Sequence, residues 1–176
     1  MKFNPARLHG AWLIEPSPYR DERGSFSRTF CLEAFGKQGL QTLYPQHGVA
    51  TTALAGTVRG MHFQVPPYAE EKVVRCISGA IVDVIVDLRP ESPTYLQWQA
   101  FELSAANGHQ VYVPKGFAHG CQTIDDNTSV QYLISTPHAP EAASGVRYND
   151  PQLRINWPLA VTVVSDRDLA WPLIEK

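Results

Sequence analysis

The chain has too few cysteines, and too little charge of either sign, for several function classes. Cys31, Cys76 and Cys121 are odd in number, widely spaced and without a CxxC pair, which argues against a disulfide framework and a structural zinc site. Reduced thiols of a cytoplasmic protein fit better, and the first ten residues show no apolar segment of the secretory kind. No run approaches the ~20 apolar residues of a membrane-spanning helix, so no membrane partner is expected. A net charge of −2 leaves no basic footprint for nucleic acid. Helical patterns of 10–15 residues between strands, which a βαβ fold requires, are also missing.

What is present is a globular composition, 44% hydrophobic and 18% charged, in 176 residues, expected as a single domain over 1–176. Fourteen prolines and twelve glycines punctuate short β-like runs. Trp12–Glu15 and Ser25–Phe30 read as strands around a turn at Asp21–Gly24, and Cys31–Gln38 is the best helix candidate. His109–Val113, a strand carrying His119, Cys121 and Thr123 on one face, and Thr128–Ser135 follow, with Ile155–Pro158 and Val161–Val164 as late strands. Closely spaced strands with few and short helices predict an all-β sandwich or barrel.

The stretch from Arg59 to Asp87 is the most informative. Lys72–Ile77 and Ala80–Leu88 flank Ser78-Gly79, a two-residue hairpin signal pairing Ile77 with Ala80. Side-chain alternation then puts Lys72, Val74 and Cys76 on one face with Ile81, Asp83 and Ile85. The opposite face, with Val73, Ile77, Ala80, Val82, Val84 and Val86, reads as continuous core, and Lys72 lies within diagonal reach of Asp83. His62 and Gln64, two apart, face one way. Singly, each polar residue has an ordinary explanation as strand edge, cap or hydrogen-bonded filler. Gathered on one sheet face, they point to a site.

Gly108-x5-Pro114-x-Gly116-x2-His119 matches the second cupin motif through its histidine, and Gly56-x5-His62 begins the first. The next histidine of that first motif is replaced by Gln64, and Lys72 stands close to the expected carboxylate. A divalent metal wants several imidazole or carboxylate ligands, and an inward ammonium opposes it, so no metal and no cofactor are expected. The implied fold is a cupin-type β-barrel, or jelly roll.

Further matching pieces are Asp21-x-Arg23-Gly24-x-Phe26, Arg59-Gly60-Met61-His62-Phe63-Gln64, Lys72-Val-Val-Arg75 and Val82-Asp83-Val-Ile-Val-Asp87. They continue through Pro114-Lys-Gly116-Phe-Ala-His119-Gly120, Tyr132, Asn149-Asp150-Pro151, Trp157-Pro158 and Ser165-Asp-Arg-Asp168. In this order, over nearly the whole chain, they resemble the dTDP-4-dehydrorhamnose 3,5-epimerases, metal-free cupin isomerases of nucleotide-linked 4-keto-6-deoxysugars. The resemblance implies His62 as base, Asp168 as its carboxylate partner, Tyr132 as proton donor and Lys72 as support for an enolate. It further implies Arg59 as diphosphate ligand and His119 with Asp83 as a supporting pair. Gln64 joins His62 on the sugar-facing strand. A homodimer is implied as well, in which Arg23 and Phe26 reach the neighbouring subunit's nucleotide site.

Three places depart from the family pattern. Pro45–Ala53 lacks the asparagine and serines that usually precede Arg-Gly-x-His, Arg28 replaces a glutamate, and Pro137-His138 replaces a Tyr-Tyr pair. Arg28 and His138 are therefore expected to shape substrate choice. Epimerisation at one carbon only, another nucleotide carrier, and a non-catalytic sugar-nucleotide-binding cupin remain open alternatives on the sequence.

Overall fold

The computed structural model describes residues 1–174. In chain order its strands are β1 (Lys2–Pro5), β2 (Trp12–Glu15), β3 (Tyr19–Asp21) and β4 (Gly24–Phe26). After helix α1 (Leu32–Lys37) come β5 (Gln46–Thr52), β6 (Val58–Gln64), β7 (Lys72–Ser78), β8 (Ala80–Asp87) and β9 (Trp98–Ser104). Then follow β10 (Gln110–Val113), β11 (Phe117–Thr123), β12 (Thr128–Ile134), β13 (Ala143–Gly145) and helix α2 (Asp166–Leu169). Six strands form one sheet in the order β1-β2-β10-β7-β12-β5, and five form a second in the order β13-β6-β11-β8-β9. The remaining ribbon, β3-β4, stands apart. This is the all-β, cupin-like architecture expected from the closely spaced strands. No helix among the described residues is long and apolar enough to cross a membrane.

The core lies between the sheets, where Val74, Cys76, Val111 and Val130 of the first meet Ile81, Ile85, Leu103 and Cys121 of the second. Burial of such aliphatic side chains is the main favourable contribution to folding. Each sheet is also covered outside. Helix α1 packs Phe35 on Ile14, Val73 and Tyr112, and the C-terminal residues Val146 and Leu153 pack on Met61, Val84, Val86 and Ala118.

The expected hairpin at Ser78-Gly79 does not form. Strand β7 pairs with β10 and β12, whereas β8 pairs with β11 and β9, in the other sheet. Gly79 turns a corner between the sheets at φ +72°, where a Cβ would lie 2.4 Å from Thr128 Oγ1. A glycine break permits either a hairpin or a corner, and alternation cannot tell them apart. Val74, Cys76, Ile81, Asp83 and Ile85 point to a common interior in both arrangements. The opposite face is consequently not one core but two outer layers, with Val73 under α1 and Val84 and Val86 under the C-terminal segment. Lys72 and Asp83 take different partners for the same reason, Glu70 and His119 respectively.

Smaller differences follow the same logic. The strand expected over Ser25–Phe30 ends at Phe26. The late runs at Ile155–Pro158 and Val161–Val164 are not strands; isolated backbone bonds, Thr162 N–H to Gly56 O and Val58 N–H to Val163 O, tie the second to its neighbour without forming a ladder. The helix expected at Cys31–Gln38 is α1, with Cys31 and Gln38 as its caps.

Candidate active site

A cavity of about 570 Å³ opens between the two sheets. Strand β6 brings Arg59, His62 and Gln64 to it, and β11 brings His119, while β7 and β12 of the facing sheet bring Lys72 and Tyr132. Helix α2 adds Arg167 and Asp168 at one rim, and the segment after β12 adds His138. Strand pairing places His62 directly across from His119, so both imidazoles rise on one face. Two glycines permit this crossing. A Cβ on Gly60 would sit 2.6 Å from Gly120 Cα, and one on Gly120 would sit 2.7 Å from Arg59 O.

Two histidine–carboxylate pairs result. His62 Nε2 lies 2.6 Å from Asp168 Oδ1. The second oxygen of Asp168 accepts from the Gly60 N–H at 3.1 Å, and the Trp171 indole N–H donates to Oδ1 at 3.3 Å. Burial alone would raise the Asp168 pKa, but the hydrogen bonds from His62, Gly60 and Trp171 outweigh it and hold the carboxyl below the ordinary carboxylate range. An ionised Asp168 takes the proton-bearing nitrogen of His62 and leaves the opposite ring nitrogen to accept a proton. Because the His62 side chain is 43% exposed, that nitrogen belongs to a ring open to the cavity. In the second pair His119 Nε2 lies 2.7 Å from Asp83 Oδ1, with the two side chains 6% and 0% exposed.

Tyr132 sits against this second pair, its ring edge-on to His119 with centroids 6.0 Å apart. Burial, with Cys121 and Asp83 close by, pushes its phenol well above its ordinary pKa. It therefore stays protonated at neutral pH and can donate. Lys72 Nζ is held 2.8 Å from Glu70 Oε1. Arg59 is exposed at the cavity mouth and donates through Nε to Thr52 Oγ1 at 2.8 Å and through a terminal nitrogen to Thr51 O at 3.2 Å. A base able to accept a proton, a neutral acid and a fixed ammonium thus surround one space. They suffice for proton removal and return beside a carbonyl.

The remaining sequence-predicted residues behave differently. The Gln64 amide is committed to backbone, donating to Tyr68 O at 2.9 Å and accepting from the Ala139 N–H at 2.7 Å, so it shapes the wall instead of presenting free polar atoms. His138 is exposed at the rim, with its backbone N–H on Gln46 Oε1. Arg23, Phe26 and Arg28 lie on or just after the β3–β4 ribbon, outside the cavity of their own chain, and Phe26 is 67% exposed. Glu70 and Arg167 also line the cavity; in the sequence Glu70, with Glu71, falls a little late for the carboxylate of the first cupin motif, and neither Glu70 nor Arg167 is given a role there. Glu70 stands two residues before Lys72, the spacing that puts side chains on one side of an extended chain, and this is the signal that could have paired the two. Arg167 lies inside the Ser165–Asp168 segment. No group of three His, Cys, Asp or Glu side chains converges among the described residues.

Comparison with known proteins agrees with this geometry. The family profile of dTDP-4-dehydrorhamnose 3,5-epimerases matches residues 5–176. The dTDP-4-dehydrorhamnose 3,5-epimerase of Sinorhizobium fredii is 41% identical over 173 residues, covering 98% of this chain and 89% of the relative. The crystal structure of the Bacillus anthracis enzyme of that name, with TDP and PPi bound, superposes with a TM-score of 0.95 at 40% identity, covering 98% of this chain and 99% of that one. A 3′-monoepimerase from Streptomyces bikiniensis, solved with dTDP-quinovose, superposes at 0.89 with 33% identity, covering 96% and 86%. With a family match spanning almost every residue and a cavity equipped for proton transfer, the chain belongs to the dTDP-4-dehydrorhamnose 3,5-epimerase family and is a carbohydrate epimerase.

Proposed function

We propose that this protein inverts C3, C5 or both in a thymidine-diphosphate-linked 4-keto-6-deoxyhexose through an enolate. The observation that carries this reading is the entry of base and acid from opposite sheets. His62 comes from β6 and Tyr132 from β12, and both line one cavity. Inversion needs a proton removed from one face of the ring and another delivered to the opposite face, a task that two facing walls perform. The 4-keto group acidifies the neighbouring hydrogens. His62, oriented by Asp168, removes one of them, Lys72 holds the developing oxyanion, and Tyr132 returns a proton from across the cavity. No metal or cofactor is invoked, because Lys72 supplies the positive charge an enolate needs.

Arg59 and Arg167 flank the mouth and suit a diphosphate. The exposed β3–β4 ribbon, with Tyr19 68% and Phe26 67% exposed and Arg23 and Arg28 alongside, fits a homodimer in which it closes the partner's nucleotide site. A second reading, inversion at one carbon only, is favoured by His138 at the rim. An imidazole there packs less against a sugar that must reorient between two inversions, and one relative above is a monoepimerase.

The test is incubation in deuterium oxide with thymidine- and other nucleotide-linked 4-keto-6-deoxyhexoses, before and after chelation, followed by NMR at C3 and C5. Exchange with the thymidine-linked sugar, insensitive to chelator, is expected. Tyr132→Phe is expected to retain some exchange while losing completed inversion. Absence of exchange at both carbons in every sugar tested would remove the epimerase assignment.

A further inference from the structure

Among the cavity walls one buried carboxylate has no part in the mechanism above. Glu70 has a side chain 5% exposed, and its Oε1 lies 2.8 Å from Lys72 Nζ. Its other oxygen, Oε2, is buried with no donor from the protein. The adjacent Glu71 points elsewhere, accepting from Ser135 Oγ at 2.6 Å and facing Lys115 at 3.7 Å. Asp168, the only other carboxylate among the described cavity-lining residues, is occupied by His62. The remaining ionisable groups that line the cavity are Arg59, Arg167, His62, His119, His138 and Tyr132, so no other anion there is free to hold the ammonium.

Burying a carboxylate with one oxygen unsatisfied costs stability, and an apolar residue at this position would avoid that cost. A lysine ammonium on a four-carbon stem is also mobile. With a diphosphate held at Arg59 and Arg167 as proposed above, an untethered Lys72 would be drawn to the phosphates and away from the sugar carbonyl. Resting on the enolate role assigned to Lys72 above, we infer that Glu70 is a positioning residue that holds the Lys72 ammonium at the sugar end of the cavity and keeps it off the diphosphate.

Three consequences distinguish this role from a merely structural one. Glu70→Ala should lower kcat for exchange by about 10- to 10²-fold, the scale on which misplacement of a group costs rate. The loss should be carried by kcat, with KM unchanged and TDP binding no weaker than in the wild type. Glu70→Gln keeps an oxygen acceptor at the same reach and should recover most of the rate. In a Lys72→Met background Glu70→Ala should cost nothing further, because its effect passes through the ammonium.

The experiment measures deuterium exchange, KM and TDP affinity for the wild type, both single variants at position 70, Lys72→Met, and Lys72→Met with Glu70→Ala. Thermal unfolding reports on the fold, and Glu70→Leu, which fills the volume, replaces Glu70→Ala if the alanine variant does not fold. A kcat-borne loss that glutamine rescues and Lys72→Met abolishes establishes the role. Additive losses, a loss carried by KM or by TDP affinity, or wild-type turnover in Glu70→Ala overturns it. A wild type without exchange at either carbon sinks the reaction assignment itself and this inference with it. Wild-type exchange together with any of the overturning results removes Glu70 alone.

Discussion

The two histidine–carboxylate pairs have nearly the same geometry, with Nε2 to Oδ1 distances of 2.6 and 2.7 Å, but opposite surroundings. Asp168 has its other oxygen occupied by the Gly60 N–H, and His62 is 43% exposed to the cavity. Asp83 is fully buried with its second oxygen unpartnered, and His119 is 6% exposed. An imidazole with one nitrogen tied to a satisfied carboxylate and the ring open to substrate can exchange protons. The second pair stands in the cavity wall with little of its ring open to substrate, which suits it to fixing the wall against which Tyr132 rests. In the proposed mechanism accessibility, not the pair itself, separates the two.

Replacing the open imidazole tests the contrast most severely. His62→Asn keeps size and polarity but cannot take the proton, and exchange at both carbons is expected to fall ~10²–10⁴-fold with the fold retained. Near-normal exchange, read by NMR in deuterium oxide, would assign the base elsewhere and erase the distinction.

A smaller effect is expected from Asp168→Asn, at the low end of that range, about 10²-fold in kcat. It carries a pH signature. The folded protein holds Asp168 below the ordinary carboxylate range, so its stabilising contribution is complete above the unfolded value of ~3.9 and is lost as pH falls through the lowered native value. Urea unfolding of wild type and variant should differ by a constant amount from about pH 5 upward and converge below about pH 4. A gap that persists undiminished in acid would show that the carboxylate's charge is not what stabilises the pair.

The smallest activity change is expected on the enclosed side. His119→Asn leaves the base and acid in place and should cost about tenfold or less in kcat, a modest effect beside the ~10²–10⁴-fold of a general base. Stability should suffer more, by about 3 kcal/mol, because Asp83 then stays buried without its partner. Comparing unfolding midpoints with exchange rates separates the two. A loss of activity matching that of His62→Asn, in a protein of unchanged stability, would give both pairs the same kind of role.

The sequence revealed which side chains share the interior more readily than which strands are neighbours. Alternation along β7 and β8 places Val74, Cys76, Ile81, Asp83 and Ile85 correctly because it depends only on the local pleat. It could not show that Gly79 sends the chain to a second sheet, since the Thr128 contact that requires a glycine there comes from a strand 49 positions away in the chain. Alternation could not give the partner of Asp83 for that reason, and only the resemblance to a family grouped it with His119. Once β8 lies beside β11, with Asp83 across from Cys121, His119 is the diagonal neighbour. Asp168 shows the same limit. Its link to His62 spans 106 positions, and only the resemblance to a family carried it. Arg23 and Phe26 are a different case, because their expected role belongs to a second copy of the chain.

The corner at Gly79 has a consequence for how the cavity is tuned. His62 and Tyr132, the proposed base and acid, are carried by different sheets, so the gap between them is governed by whatever keeps the sheets apart and not by the hydrogen-bond ladder of either one. Val74, Val130, Ile85 and Leu103, deep in the sandwich, thereby act as spacers between the two walls. A methylene gained or lost among them would widen or narrow the stage on which a sugar ring must turn over. Such a change would reset the reach between His62 and Tyr132 while leaving every polar contact around the two residues undisturbed.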